Sequence, residues 1–115
     1  MKMINRAAII AIPKQPYIDW TNAMGEDNGP IMNIEEHHRE DTVYLVDDVG
    51  DDEDAAEVVR RYYSVIFEQE LADWHTFEPA WPSNRDFQTF TEWFHIQVNS
   101  VVLDLCDYRV RSEKF

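Results

Sequence analysis

The chain has one cysteine, three glycines and ten basic residues among its 115. A lone cysteine, Cys106, forms no intrachain disulfide and builds no cysteine-based zinc site. Gly25, Gly29 and Gly50 are too few and too scattered for a phosphate-cradling loop or a dinucleotide fingerprint. No Gly-x-Ser-x-Gly elbow is present either. Nowhere does an apolar run approach the length needed to cross a membrane as a helix. The apolar stretch Ala7 to Ile12 is too short for a signal-peptide core and stops at Pro13. The expected location is therefore cytoplasmic. Against the ten basic residues stand 23 acidic ones, a net charge of −13. Direct binding to nucleic acid or to an anionic membrane through a basic face is disfavoured. Nothing in the sequence calls for a cofactor.

What is present suffices for one folded domain spanning 1–115. The apolar fraction is 44%, and this length is near the commonest domain size. Residues 26–57 hold 13 acidic side chains and one basic one, Arg39, a net of −12. The rest of the chain is nearly neutral.

The run Ala7 to Ile12 is short and isoleucine-rich, which predicts a strand covered on both faces. Pro16 suits the first turn of a helix ending near Met24, with Gly25 as its stop. Residues 25–41 read mainly as loop, with a helical turn near 33–38 as an option. Thr42 to Val46 is a β-branched and aromatic run, a second strand. The acidic stretch Asp47 to Asp54 then leads into a helix, with Asp51 or Asp52 as its expected cap. In that helix Val59, Tyr62, Tyr63, Ile66, Phe67, Leu71 and Trp74 recur on one face. From Asp54 to Trp74 it would run roughly 31 Å.

Pro79 and Pro82 break the chain, and Ser83 or Asn84 is the expected cap of a third helix carrying Phe87, Phe90 and Phe94. Ile96 to Leu105 reads as the last strand. Its apolar phase switches at Asn99-Ser100, so either both faces are covered or a bulge sits there. Cys106, at its end, reads as an inert core residue. The expected fold is α+β: a two-layer α/β sandwich in the order β-α-β-α-α-β. Its sheet is small and mixed, of three to four strands, with a right-handed crossover between the first two.

Two constellations bear on function. Glu35 to His38 and Glu92 to His95 are both Glu-x-x-His segments. On a helix this spacing puts two metal ligands on one face, as in carboxylate-bridged di-iron bundles. That architecture needs four long helices, however, and only one is predicted. His37 and His38 are adjacent and point apart on any regular element. The set His37, His38, His75 and His95 with nearby carboxylates supports a metal-dependent enzyme as the alternative reading. The acidic run fails the EF-hand pattern in both registers tested, starting at Asp47 or Asp48. The leading reading is a non-catalytic protein-interaction module. Its acidic surface, with Asp47, Asp48, Asp51 and Asp52, would dock a protein partner with a basic surface. Trp81, between two prolines and off any helical pattern, either plugs a core gap or stands at an interface. The oligomeric state is left open.

Pro13-Lys14-Gln15-Pro16-Tyr17-Ile18-Asp19-Trp20, Thr42-Val43-Tyr44-Leu45, Trp81-Pro82 with Arg85, Phe90-x-x-Trp93-Phe94, Ser100 and Asp104-Leu105 form a further pattern. Together they resemble a family of small acidic bacterial proteins of uncharacterised function, over residues 5–105. The resemblance implies a shared scaffold, and it implies no activity, cofactor or catalytic residue. Glu35-Glu36-His37-His38 lies outside the resembling motifs.

Overall fold

The structure is a computed structural model, and it describes residues 1–24, 41–50 and 53–115. Within them the chain is mixed α+β. The elements are β1 (Lys2–Met3), β2 (Arg6–Pro13), α1 (Gln15–Met24), β3 (Val43–Asp47), α2 (Ala55–Trp74), a 3-10 turn (Glu78–Ala80), α3 (Phe87–Trp93), β4 (Phe94–Asn99) and β5 (Leu103–Asp104). The expected turn near 33–38 lies outside the described residues, as do Glu35, His37, His38, Asp51 and Asp52.

One sheet has the order β3-β2-β4 and the other pairs β1 with β5. Every ladder is antiparallel. The expected mixed sheet with a crossover is thus corrected: β2 and β3 run in opposite directions although a long segment joins them. Apolar runs encode burial, and they carry no information on strand direction.

Side-chain alternation divides β2 except at Ala8, which is buried although it lies on the other face. Ala7, Ile9 and Ala11 are fully buried, and their ladder partners Val46, Tyr44, Val98 and Ile96 belong to or pack against the core. Against this side lie Tyr17 and Ile18 of α1, Val58, Val59, Ile66, Phe67 and Leu71 of α2, and Phe90 of α3. The core is aromatic at its centre. Phe67 meets Phe90, Trp93 and Phe94 at centroid distances of 5.6, 5.7 and 5.7 Å, in the tilted and edge-on geometries that ring quadrupoles favour. On the opposite side of the sheet, Ile10 and Ile12 are only half-buried and Val43 and Leu45 are exposed. The expectation that the first strand is covered on both faces is corrected in part: the second face is buried at Ala8 and only half-covered at Ile10 and Ile12.

Helix α2 matches its periodicity. Its cap is Asp54, whose carboxylate accepts from the Glu57 N–H at 2.9 Å. For α3 the cap is Asp86, which accepts from the Thr89 N–H at 2.8 Å, in place of Ser83 or Asn84. This helix stops at Trp93, so Phe94 begins β4 and reaches the core from a strand. Lys14 ties the junction: its N–H donates to the Trp93 carbonyl at 2.8 Å and its ammonium to that of Thr91 at 2.9 Å.

The last strand divides where the apolar phase switches. Ala8 faces Asn99, whereas Met3 faces Leu103, so the N-terminal strand carries one extra residue between the two ladders. That offset is the signature of a bulge. The Ile4 N–H still donates to the Val102 carbonyl at 3.0 Å. Beyond it the ribbon leaves the core. Met1, Met3, Val101, Leu103, Leu105, Tyr108, Val110 and Phe115 are exposed, and residues 105–115 form no helix or strand. Cys106 is exposed, not a core residue.

Candidate functional site

The predicted acidic surface, residues 26–57, includes the corner where β3 ends. Asp47 and Asp48 are exposed, and Asp54 at the start of α2 is exposed as well. Asp47 accepts a hydrogen bond from Tyr62 at 2.6 Å and lies 3.4 Å from the Arg61 guanidinium, which reaches Glu53 at 2.6 Å. The hydrogen bond to Glu53 and the two carboxylate charges hold the Arg61 guanidinium firmly protonated. Tyr62 is held above its ordinary value, chiefly by its hydrogen bond to Asp47. Beside this corner, Met3, Ile4, Asn5, Asp48, Val49, Gly50 and Ser100 line an open groove of about 610 Å³. Asn5 and Ser100, at the bulge between the two ladders, line it on the strand side. Among the described residues, Asp48 is the groove's one charged lining group.

Trp81 is half-buried and packed against the core. Its indole N–H donates to the His75 carbonyl at 2.7 Å, and the Arg85 guanidinium sits 5.6 Å from its ring centre. One more tryptophan fastens the same connection, and another ties the end of α2 to α1. Trp20 donates to the Ala80 carbonyl at 3.1 Å, and Trp74 to that of Thr21 at 3.0 Å. A run with two prolines offers few backbone donors of its own, so indole N–H groups hold it down.

Of the histidines, His75 and His95 lie among the described residues, and they stand on different elements. His75 Nδ1 accepts from the Phe77 N–H at 3.2 Å, which makes it a turn-forming residue. Glu92 lies on α3, but His95 lies on β4 opposite Ile12. The helix ends between them, so their i, i+3 spacing places no two ligands on one helical face. Among the described residues, no group of three His, Cys, Asp or Glu side chains is placed to hold a metal ion.

The structure adds one group that the sequence reading passed over. Glu70 lies on the buried face of α2, four residues after Ile66 and three after Phe67, and is 5% exposed. Its carboxylate accepts from the Tyr44 hydroxyl at 3.1 Å, and its backbone carbonyl accepts from the Tyr17 hydroxyl at 2.8 Å. Burial pushes its pKa up to about 7. The Tyr44 hydrogen bond opposes that rise, and the charges of Asp73 and Asp41 add to it. Tyr17 and Tyr44 are both pushed far above the ordinary phenol value, first by burial and then by the Glu70 charge. A groove of about 370 Å³ lies next door, lined by Thr42, Tyr44, Val65, Gln69, Asp73 and Phe115. Tyr44 lines it and Glu70 does not, so the carboxyl stands behind the phenol. The signal was a carboxylate on an otherwise apolar helical stripe.

No known protein family, curated protein or solved structure matches this chain. Among the described residues, no helix is long and apolar enough to cross a membrane.

Proposed function

We propose that this protein is a non-catalytic interaction module whose acidic surface, residues 26–57, docks a protein partner with a basic face. The observation that carries the reading is the concentration of charge: a net of −12 in that stretch, in a chain of −13. The described part supports it, since Asp47, Asp48 and Asp54 stand exposed and Asp48 lines an open groove. Clustered like charge destabilises a compact chain by self-repulsion, and a basic partner relieves it. Opposite charge also steers encounter, so association is fast and salt-sensitive. Trp81 presents to a partner only the ring surface that Arg85 and the core leave uncovered. The fold assumed is the two-layer α/β sandwich, with the helices over the Ile9 side of the sheet. The setting assumed is cytoplasmic, without direct contact to nucleic acid.

The test compares the wild-type chain with an Asp47→Asn, Asp48→Asn, Asp51→Asn, Asp52→Asn variant as bait. Both are presented to lysate of the source organism at low and high salt, and the captured proteins are then purified for stopped-flow association. A basic protein held by the wild type at low salt, and associating more slowly with the variant, is the expected result. Equal association rates would remove the electrostatic reading.

A further inference from the structure

The open groove beside the bulge gathers polar side chains from three separate segments. Asp48 follows β3, Asn5 lies between β1 and β2, and Ser100 lies between β4 and β5. The neighbouring carboxylates are already engaged. Asp47 accepts from Tyr62 and pairs with Arg61, Glu53 pairs with Arg61, and Asp54 caps α2. Asp48 differs from them: among the described residues its carboxylate takes part in no hydrogen bond and no ion pair. The Asn5 side chain and the Ser100 hydroxyl are uncommitted in the same way. Nearby cations do not fill the gap. Arg61 is held between Asp47 and Glu53, Arg6 donates to the Asn5 backbone carbonyl at 2.8 Å, and neither lines the groove.

Met3, Ile4 and Val49 supply the apolar part of the lining. The groove thus offers an aliphatic wall and three oxygen acceptors, of which the Asp48 carboxylate alone is charged. A lysine side chain has matching halves, a four-carbon stem and an ammonium with three donors and no acceptor. A guanidinium carries five donors in one plane, and acceptors on three different segments leave most of them unmet. The volume of about 610 Å³ admits the side chain together with part of the backbone that carries it.

We infer that this groove seats one lysine side chain of the basic partner, its ammonium at Asp48 and its stem along Met3, Ile4 and Val49. The inference rests on the acidic-surface reading for the character of the partner, and it adds a single anchor point. Diffuse attraction sets how fast two proteins meet, whereas a seated side chain sets how long they stay together.

The probe is the peptide acetyl-Gly-Ser-Lys-Ser-Gly-amide, with a norleucine peptide as its uncharged control and an arginine peptide as its rival. Backbone amide shifts of the isotope-labelled full chain are followed during titration at low salt. The lysine peptide is expected to give saturable shifts at Ile4, Asn5, Asp48, Val49, Gly50 and Ser100, with a Kd on the order of 1 mM. The norleucine peptide should bind about threefold or more weakly, and Asp48→Asn should remove that difference. Gly50→Leu narrows the groove without changing its charge. The φ of Gly50 is not positive and a Cβ there meets nothing nearer than 3.9 Å, so the backbone accepts a side chain. This variant should weaken lysine binding by about threefold or more. The contrast among the three peptides on the wild type needs no variant, so it decides the matter even where a variant misfolds. No saturable shift by about 10 mM, equal binding of the lysine and norleucine peptides, tighter binding of the arginine peptide, or undiminished affinity in folded Gly50→Leu overturns the inference. Each of these results leaves the acidic-surface reading standing, because that reading is judged by the association rate of the captured partner.

Discussion

Glu70 gives a prediction whose size follows from its surroundings. The carboxyl is buried, and its pKa stands at about 7 against an ordinary 4.5. The folded state therefore binds this proton more tightly than the unfolded state does. Below about 4.5 both states are protonated, and burial of the neutral acid costs little. As pH rises from there, the unfolded chain ionises first, and stability falls until the folded carboxyl also ionises near 7. Above that the loss is complete. At about 1.4 kcal/mol per pH unit, the displacement is worth about 3 kcal/mol. Glu70→Gln keeps an oxygen for the Tyr44 hydroxyl and cannot ionise. Urea unfolding of wild type and variant at steps from pH 4.5 to 8 isolates the effect, because every other titrating group cancels in the difference. The variant should gain on the wild type progressively through this window, reaching about 3 kcal/mol at pH 8, which is on the order of 10 °C in Tm for a domain this size. Parallel curves would refute the reasoning, since they would mean that Glu70 titrates alike folded and unfolded.

Tyr44→Phe removes the donor to Glu70 and should cost about 2 kcal/mol at pH 8, where the acceptor is charged, and clearly less at pH 5; the same urea series measures it. Asp54→Ala removes the cap of α2 and should cost about 1 kcal/mol, whereas Asp54→Ser should largely retain it. The Asp86 carboxyl is held below its ordinary range by the Thr89 hydroxyl and N–H, so the stability that Asp86→Ala loses is present at neutral pH and fades as pH falls through that lowered value. Cys106 is exposed, so one thiol per chain should react with a thiol reagent in native buffer at the rate seen in denaturant; strong protection in the monomer would contradict the described position.

The legible parts of this fold are those where local chemistry decides. Helix α2 was readable because seven apolar side chains recur at 3.6-residue spacing, and β2 because a short isoleucine-rich run ends at a proline. Caps were readable in kind and not in place. A stretch with six acidic residues between Asp47 and Asp54 offers several equivalent oxygen acceptors, and only the helix start shows that Asp54 receives the Glu57 N–H. Strand direction was not readable, since β2 and β3 would show the same apolar pattern in either sense. Glu70 escaped because the apolar positions around it already completed a convincing stripe, and a single carboxylate on that stripe looks like noise until its burial and its Tyr44 partner are seen.

The reading of Cys106 failed for a reason that bears on function. Val101, Leu103 and Leu105 alternate as core-facing strand residues do, which is why the sequence suggested a buried strand running to Leu105. The bulge near Asn5 and Ser100 carries that alternation off the end of the sheet, where the helices no longer reach it. Alternation specifies a strand with one face to cover, and it does not specify that the cover comes from the same chain. Each uncovered apolar side chain forgoes burial of about 25 cal/mol per Å². Several of them follow one another along the ribbon end, at Val101, Leu103 and Leu105. The same alternation that made the last strand look like core thus ends in side chains that this chain leaves exposed.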